Sequence, residues 1–219
     1  MTEQRASEIR QSFLRQAKAC TDLGSPFTAR LCTLAASRLT EDGPVGRMIL
    51  NWPGNPDGTG DALALRFAGT LHALVRSGRD TALAAVYPPH AVDDDTLWAA
   101  IDAALRRDEA FMLDRMKSAP QTNEVRRSSA LLPGFLTIAA RTGKPLILSE
   151  VGASAGLNLQ WDRYRYRLAN SGWGEASTVE LTPQWQGALP PEAEIKIAER
   201  AGCDLNPLDP SSDDDRLRL

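Results

Sequence analysis

The chain has 219 residues, of which 42% are hydrophobic and 24% charged, and its formal net charge at pH 7 is −3. This composition excludes an intrinsically disordered chain, and no apolar run approaches the roughly 20 residues of a membrane helix. A slightly acidic chain lacks the basic surface of most proteins that bind nucleic acids or acidic membranes, so we expect neither a nucleic-acid nor a membrane partner. The ligand that we expect is a small molecule, for which the glycine-rich segment described below is the reason.

Residues 1–142 are predicted to form a run of helices, because apolar side chains recur at three- and four-residue spacing between caps and breakers. Ser25-Pro26 is typical of a helix start, and Asp61 is placed to cap a later helix. Pro133 is expected to break or kink the last helix. The predicted helices cover about Glu3–Asp22, Pro26–Leu39, Asp61–Gly78, the residues after Asp93–Asp95, and Gln121–Thr142.

The hydrophobic pattern changes after Gly143-Lys144. Pro145–Val151 is a continuous apolar run of strand length, which predicts a buried strand. A helix is predicted from Ala155 to about Ala169, and strands at Thr178–Leu181 and Glu194–Glu199. The strand–helix–strand order predicts a right-handed βαβ unit with parallel strands.

Cysteine and histidine are scarce. Cys20, Cys32 and Cys203 form no Cys-x-x-Cys pair, and the polar N-terminus has no apolar signal region, so we expect free thiols and a cytoplasmic location. The two histidines are His72 and His90, which with three scattered cysteines provide no four-ligand zinc cluster, and no metal is expected.

The most informative segment is Leu148–Leu159, where a predicted strand, a strand-end acid, a turn of small residues and a predicted helix follow one another. Gly152, Ser154 and Gly156 leave room for a ligand to approach the backbone. The acid-x-Gly-x-x-x-Gly pattern resembles the first motif of S-adenosylmethionine-dependent methyltransferases. The resemblance implies that this segment lines the pocket for the methionine part of the cofactor.

The same resemblance implies a cofactor, S-adenosylmethionine, and a set of contacts for it. In that family an acid at the end of the next strand holds the ribose, and Glu180 is the natural match. Asp204 follows the third predicted strand, where an adenine-side contact is expected. The residues expected to bind the cofactor are Glu150, Gly152, Ala153, Ser154, Gly156, Asn158, Glu180 and Asp204.

Two other interpretations of the loop remain open. Gly152–Gly156 matches Gly-x-Ser-x-Gly, the nucleophile elbow of α/β-hydrolases, with Ser154 as the nucleophile. In that fold the catalytic histidine follows the serine, whereas both histidines of this chain precede Ser154. The small residues also suit simple close packing at a strand-to-helix turn. The strand-end acid Glu150 favours the methyltransferase pattern over both.

A second polar segment, Gln121–Glu124, precedes the last helix of the helical region. It is typical of a helix cap, with Thr122 or Asn123 as the capping residue. The alternative is that it forms, with Arg127, a charged cluster facing the glycine-rich loop. Asn123, Glu124 and Arg127 are then the candidate catalytic or substrate-contacting residues, and Glu124 serves as a general base if burial raises its pKa.

Five segments that together span nearly the whole chain carry a second resemblance. They are Gln121–Ser128, Glu150–Asn158, Trp161–Tyr166, Ser25-Pro26 and Gly202–Asp209. In these segments the chain is similar to a bacterial family of uncharacterised proteins known as domain of unknown function 2332. Members of that family look longer, and Ser211–Asp215 begins a helix pattern just before the chain ends. We therefore expect the second domain to be truncated.

These observations predict an α/β fold in two parts. A helical region, residues 1–142, precedes the first βαβ part of a Rossmann-like, methyltransferase-like sheet at residues 143–219. The leading functional hypothesis is an S-adenosylmethionine-binding methyltransferase of unknown substrate. A non-catalytic ligand- or partner-binding protein on the same fold is the second hypothesis, and a serine hydrolase using Ser154 is the third.

Overall fold

The computed structural model describes residues 3–121 and 123–218, and about half of the protein is helical. The predicted α/β class is confirmed at the level of a mixed fold with a small parallel sheet. Contacts divide the chain into two compact units, and the division falls between Pro120 and Gln121. No helix within the described ranges is long and apolar enough to cross a membrane.

The first unit is a helical bundle built on amphipathic helices whose apolar stripes meet in one core. Phe13 and Phe67, for example, pack edge to face with ring centroids 5.9 Å apart. Asp61 does not cap α4 as predicted, because its carboxylate accepts a hydrogen bond from Trp52 Nε1 at 2.7 Å. The helices are α1 (Glu3–Asp22), α2 (Pro26–Arg38), α3 (Pro44–Leu50), α4 (Leu63–Arg76), α5 (Thr81–Ala84), α6 (Asp94–Arg107) and α7 (Glu109–Arg115).

The described residues of the second unit form two small sheets. A parallel pair consists of β1 and β5, and a three-stranded sheet has the order β3-β2-β4, with β2 antiparallel to β3 and parallel to β4. In chain order the elements are a 3₁₀ turn (Val125–Arg127), α8 (Ser128–Thr142), β1 (Leu146–Val151), a second 3₁₀ turn (Asn158–Arg163), β2 (Arg165–Leu168), β3 (Ser171–Trp173), β4 (Glu180–Leu181), β5 (Ile197–Cys203) and α9 (Asp213–Arg216).

The predicted helix from Ala155 to Ala169 is wrong. The 3₁₀ turn Asn158–Arg163 and strand β2 occupy this segment. Tyr166 and Leu168 are buried while Arg167 between them is exposed, which is the period of a strand, and β2 pairs on both sides with later segments. Pairing with distant residues outweighs the local helical pattern.

This difference changes the connection between the parallel strands. β1 and β5 pair in parallel, with Val151 opposite Cys203, but the chain between them forms a 3₁₀ turn and a three-stranded sheet instead of a crossover helix. The predicted βαβ unit is therefore not formed, and a Rossmann-like methyltransferase fold is not confirmed. The predicted strand at Glu194–Glu199 occurs later, as β5, and the one at Thr178–Leu181 is confined to β4.

Helix α8 belongs to the core of the second unit. Leu132 and Leu136 pack there with Leu148 of β1 and with Trp161. Pro133 does not break the helix, which runs through it to Thr142. The boundary between the two units therefore lies before α8, between Pro120 and Gln121, and not after α8 at residue 142, where the change in the hydrophobic pattern had placed it. The proposed cap Thr122 lies outside the described residues, and Glu124 accepts a hydrogen bond from the backbone N–H of Arg126 at 3.0 Å.

Candidate functional site

Parallel pairing brings the carboxyl ends of β1 and β5 to the same edge of the small sheet. The backbone N–H groups of Gly152 and Ala153 both donate to the carbonyl oxygen of Cys203, at 2.8 and 3.1 Å. Gly202 makes this approach possible, because a Cβ there would lie 2.8 Å from Cβ of Ala153. The glycine-rich loop, Gly152–Gly156, therefore begins as a direct extension of the strand pair.

The loop turns back through three residues with positive φ. Gly152 and Gly156 have φ of 71° and 69°, values that glycine adopts without steric cost. Ser154 lies between them with φ of 50°, which is uncommon for a residue with a side chain. Backbone strain of this kind is concentrated at functional sites in proteins, so Ser154 is the residue of the loop to which a function is most readily assigned.

Asp204 holds the loop in this conformation. Its Oδ2 accepts a hydrogen bond from the N–H of Ser154, and its Oδ1 accepts one from the N–H of Asn206, both at 2.8 Å. These backbone donors, first Asn206 and then Ser154, lower the pKa of the Asp204 carboxyl. The residue predicted to contact adenine is thus engaged on both oxygens by the backbone.

Three polar atoms at the loop are buried and have no hydrogen-bond partner: Oε2 of Glu150, Oγ of Ser154 and Oδ1 of Asn158. The exposed fractions of Ser154 and Asn158 are only 6% and 8%. Buried polar groups in proteins are nearly always hydrogen-bonded, because an unpaired one costs about 1–3 kcal/mol. A ligand that bonds to these atoms would remove that cost.

Glu150 is electrostatically unusual. Burial raises the pKa of its carboxyl above the ordinary value, and the positive charge of Arg127 opposes that increase. Arg127 belongs to the 3₁₀ turn Val125–Arg127, which packs against the 3₁₀ turn that begins at Asn158. The structure therefore brings Arg127 to the neighbourhood of Glu150. The buried Nδ2 of Asn123, four residues earlier in the chain, also has no hydrogen-bond partner.

The raised pKa of Glu150 predicts a pH dependence of stability. The folded state binds this proton more tightly than the unfolded state, so unfolding free energy falls as pH rises from the ordinary glutamate pKa through the raised one. We expect Glu150→Gln to lack this decrease and to be more stable than the wild type at neutral pH. Urea midpoints measured from about pH 4 to pH 8 test it.

Glu180→Gln is the matched control. Arg167 Nε donates to Glu180 at 2.5 Å, and this bond lowers the pKa of Glu180. The bond stabilises the folded protein above the ordinary pKa of glutamate, and this stabilisation is lost as pH falls through the lowered pKa of Glu180. At neutral pH the Glu180→Gln variant should therefore be less stable than the wild type. A Glu150→Gln variant that is also less stable there would contradict the assigned burial penalty.

The structure does not place Glu180 in the ribose position predicted for it. Glu180 lies in β4, which pairs with β2 in the three-stranded sheet, whereas β5 is the strand beside β1. Glu124 is exposed, and its carboxylate caps the turn Val125–Arg127. The predicted residues that the structure gathers at the carboxyl end of β1 are Glu150, Gly152, Ala153, Ser154, Gly156, Asn158 and Asp204.

One supporting interaction has no signal in the sequence. Arg200 of β5 donates to both carboxylate oxygens of Asp162, at 2.6 and 2.8 Å, and to the carbonyl oxygen of Leu159 at 2.7 Å. These bonds attach the 3₁₀ turn Asn158–Arg163 to the parallel strands. The partners are 38 residues apart, so local sequence patterns cannot reveal the pair. Within the described ranges, no group of three or more His, Cys, Asp or Glu is arranged to hold a metal ion.

Comparison with known proteins gives a family and no activity. Residues 10–219 match a family described as uncharacterized protein conserved in bacteria, domain of unknown function 2332. No curated protein and no solved structure matches the chain significantly. The match covers nearly the whole chain, and the chain therefore belongs to this bacterial family.

Proposed function

We propose that the second unit binds S-adenosylmethionine at the carboxyl ends of β1 and β5 and uses it as a methyl donor. The observation that carries the proposal is the set of buried, unpartnered polar atoms on Glu150, Ser154 and Asn158. These residues lie in or beside the loop Gly152–Gly156, which follows the carboxyl ends of two parallel strands. Open α/β sheets bind their ligands at that edge. A Cβ on Gly152 would meet no atom within 4 Å, so the loop is open to a ligand on that side.

The hydrogen bonds of the loop backbone disfavour a ligand that is held by its phosphate groups. The N–H groups of Gly152, Ala153, Ser154 and Gly156 all donate to other protein atoms. No α-helix begins at the loop, so the helix N-terminus that holds a phosphate in dinucleotide-binding folds is missing here. A cofactor without phosphate groups therefore suits the loop better than a dinucleotide does, and S-adenosylmethionine has none.

The chemistry required of the protein is modest. A substrate nucleophile attacks the methyl carbon, the carbon–sulfur bond breaks with its electron pair moving to sulfur, and S-adenosylhomocysteine is released. Holding the nucleophile and the methyl group in line supplies most of the acceleration. Acceptor atoms such as Glu150 Oε2 and Asn158 Oδ1 suit the ammonium and hydroxyl donors of the cofactor.

Calorimetric titration of the chain with S-adenosylmethionine and S-adenosylhomocysteine tests the proposal. We expect both to bind, and we expect Glu150→Gln and Ser154→Ala to weaken binding. For Glu150→Gln the loss should be about 10- to 150-fold, the value of a hydrogen bond to a charged group. Glu180→Gln is the control and should bind like the wild type. If neither ligand binds the wild-type chain, the proposal is wrong.

A second candidate, a serine hydrolase, is favoured by one observation. Ser154 combines the Gly-x-Ser-x-Gly pattern with a left-handed backbone, as the strained turn of a nucleophile elbow does. Among the described residues, however, the Oγ of Ser154 has no hydrogen-bond partner, so no catalytic base contacts it. Labelling of Ser154, and not of the Ser154→Ala variant, by a fluorophosphonate probe would favour the hydrolase. Ligand binding without methyl transfer to any acceptor would favour the non-catalytic alternative.

A further inference from the structure

One face of the parallel pair β1 and β5 packs on the core of the second unit, and the other face is open. Side chains alternate between the two faces along each strand, and residues paired across the strands share a face. Leu148 is buried in that core, and Arg200, its partner in the register, bonds to Asp162. The open face consists of the alternate residues, all six of them exposed: Ile147, Ser149 and Val151 of β1 and Glu199, Ala201 and Cys203 of β5.

The open face is unusual because its strands are parallel and its side chains are largely apolar. Parallel sheets are nearly always covered on both faces, but no described element covers this one. Ile147 and Val151 are 69% and 89% exposed, and Glu199 is the one charged residue of the six. A contiguous apolar patch of this kind is typical of an interface, because association removes it from water.

The two ends of the strand pair carry charges of opposite sign. Lys144 and Lys196 are exposed and lie just before β1 and β5, and Lys196 has only an exposed contact with Glu194, at 3.5 Å. Asp204 directly follows β5, and its carboxyl is ionised at neutral pH. A second copy of the pair that runs in the opposite direction across the face therefore places lysine against aspartate at both ends. The charge pattern is thus complementary to itself under a two-fold rotation.

We propose that the open face is the interface of a symmetric dimer, in which two copies of this chain pack face to face with their strands antiparallel. Ser149 and Ala201 are paired at the middle of the face, so a two-fold axis across the strands at this level places each opposite its own copy. Ile147 then lies opposite Val151 of the second copy, and the two largest apolar side chains of the face cover each other.

The small size of the open face predicts a weak dimer. Three residues from each of two strands are far fewer than the roughly 20–30 residues that each partner contributes to a stable interface. We therefore expect a reversible equilibrium between monomer and dimer, with a dissociation constant of about 10–100 μM, and not an obligate dimer.

Sedimentation equilibrium of the wild-type chain, from tenfold below to tenfold above the expected dissociation constant, tests the proposal. We expect the mass to rise from one chain toward two. Val151→Asp buries a charge in the interface and should raise the dissociation constant at least about 10-fold. Leu23→Asp, at a similarly exposed apolar side chain of the first unit, is the matched control and should dimerise like the wild type. A wild-type chain that stays monomeric throughout, or a Val151→Asp variant that dimerises as well as the control, would overturn the proposal.

Chemical cross-linking tests the two-fold arrangement without adding a charge to the face. Sheets that pack face to face lie about 10 Å apart, so a short bismaleimide should join two copies of Ala201→Cys in a Cys203→Ser background. Cys20 and Cys32 are buried and should not react, and Leu23→Cys in the same background is the control that should give no dimer. If Ala201→Cys gives no more covalent dimer than Leu23→Cys, the proposed interface is wrong. Both experiments are done without any adenosyl compound, so their outcome is independent of the proposed cofactor.

Discussion

Replacing Trp161 by alanine is expected to lower the unfolding free energy of the second unit by about 3–5 kcal/mol. The side chain is 1% exposed and lies stacked against Phe135, with centroids 4.5 Å apart, and against Trp173 at 5.6 Å. Truncation leaves a cavity in the core of the second unit, and it removes the stacking of two aromatic pairs. Urea denaturation followed by circular dichroism measures the loss.

A control variant and a hydrogen-exchange measurement test whether the loss of stability comes from the core around Trp161. Leu205→Ala removes an apolar side chain that is 98% exposed and should change stability by less than about 0.5 kcal/mol. Hydrogen exchange in Trp161→Ala should accelerate in β1 and β5, whose packing partner is lost, and not in α1 to α7. A loss below about 1 kcal/mol would show that Trp161 is not the centre of this core.

Breaking the ion pair between Arg200 and Asp162 is expected to have the next largest effect. Arg200→Met removes three hydrogen bonds, two to the carboxylate and one to the Leu159 carbonyl, and leaves Asp162 half-buried without its partner. We expect a loss of about 2–4 kcal/mol. The turn that carries Asn158 is then no longer attached to β5, so ligand affinity should fall as well.

A double-variant cycle with Asp162→Leu isolates the pair. The double variant should be less destabilised than the sum of the single variants, because each single change leaves an uncompensated charge. Arg167→Met, which breaks the exposed pair with Glu180, is the matched control and should destabilise the protein much less than Arg200→Met does, because solvent screens that pair. Additive losses in the cycle would mean that the two side chains act independently.

The elements that the sequence predicted correctly are those with a strong local pattern. The boundaries of α1 follow from its apolar face, and the position of β1 follows from the largely apolar run between Lys144 and Gly152. The predicted burial of this strand is wrong, because Leu148 is buried but Ile147 and Val151 are 69% and 89% exposed. The clustering of Glu150, Ser154 and Asn158 was predictable for a similar reason, since nine consecutive residues that include a tight turn cannot separate widely. The sequence allowed, as one of two interpretations, that Arg127 faces the glycine-rich loop. The packing of the turn Val125–Arg127 against the turn Asn158–Arg163 supports that interpretation.

The predictions that failed depended on partners far along the chain. The segment after the loop has helix-compatible spacing, but pairing with β3 and β4 makes residues 165–168 a strand. Glu180 has the sequence offset of a ribose-binding acid, yet β4 joins the other sheet, and Asp204 at the end of β5 is the acid beside the loop. Offsets along the chain do not specify which strands become neighbours.

The sequence by itself determined the helical first part, the strand β1 and the small-residue loop, because each depends on contacts among residues close in the chain. The tertiary structure decided that β5 pairs with β1, that α8 packs in the second unit, and that Asp204 and Arg200 support the loop and the turn beside it. Those contacts join residues tens of positions apart, and only the burial of a shared core selects among the many pairings that the local patterns permit.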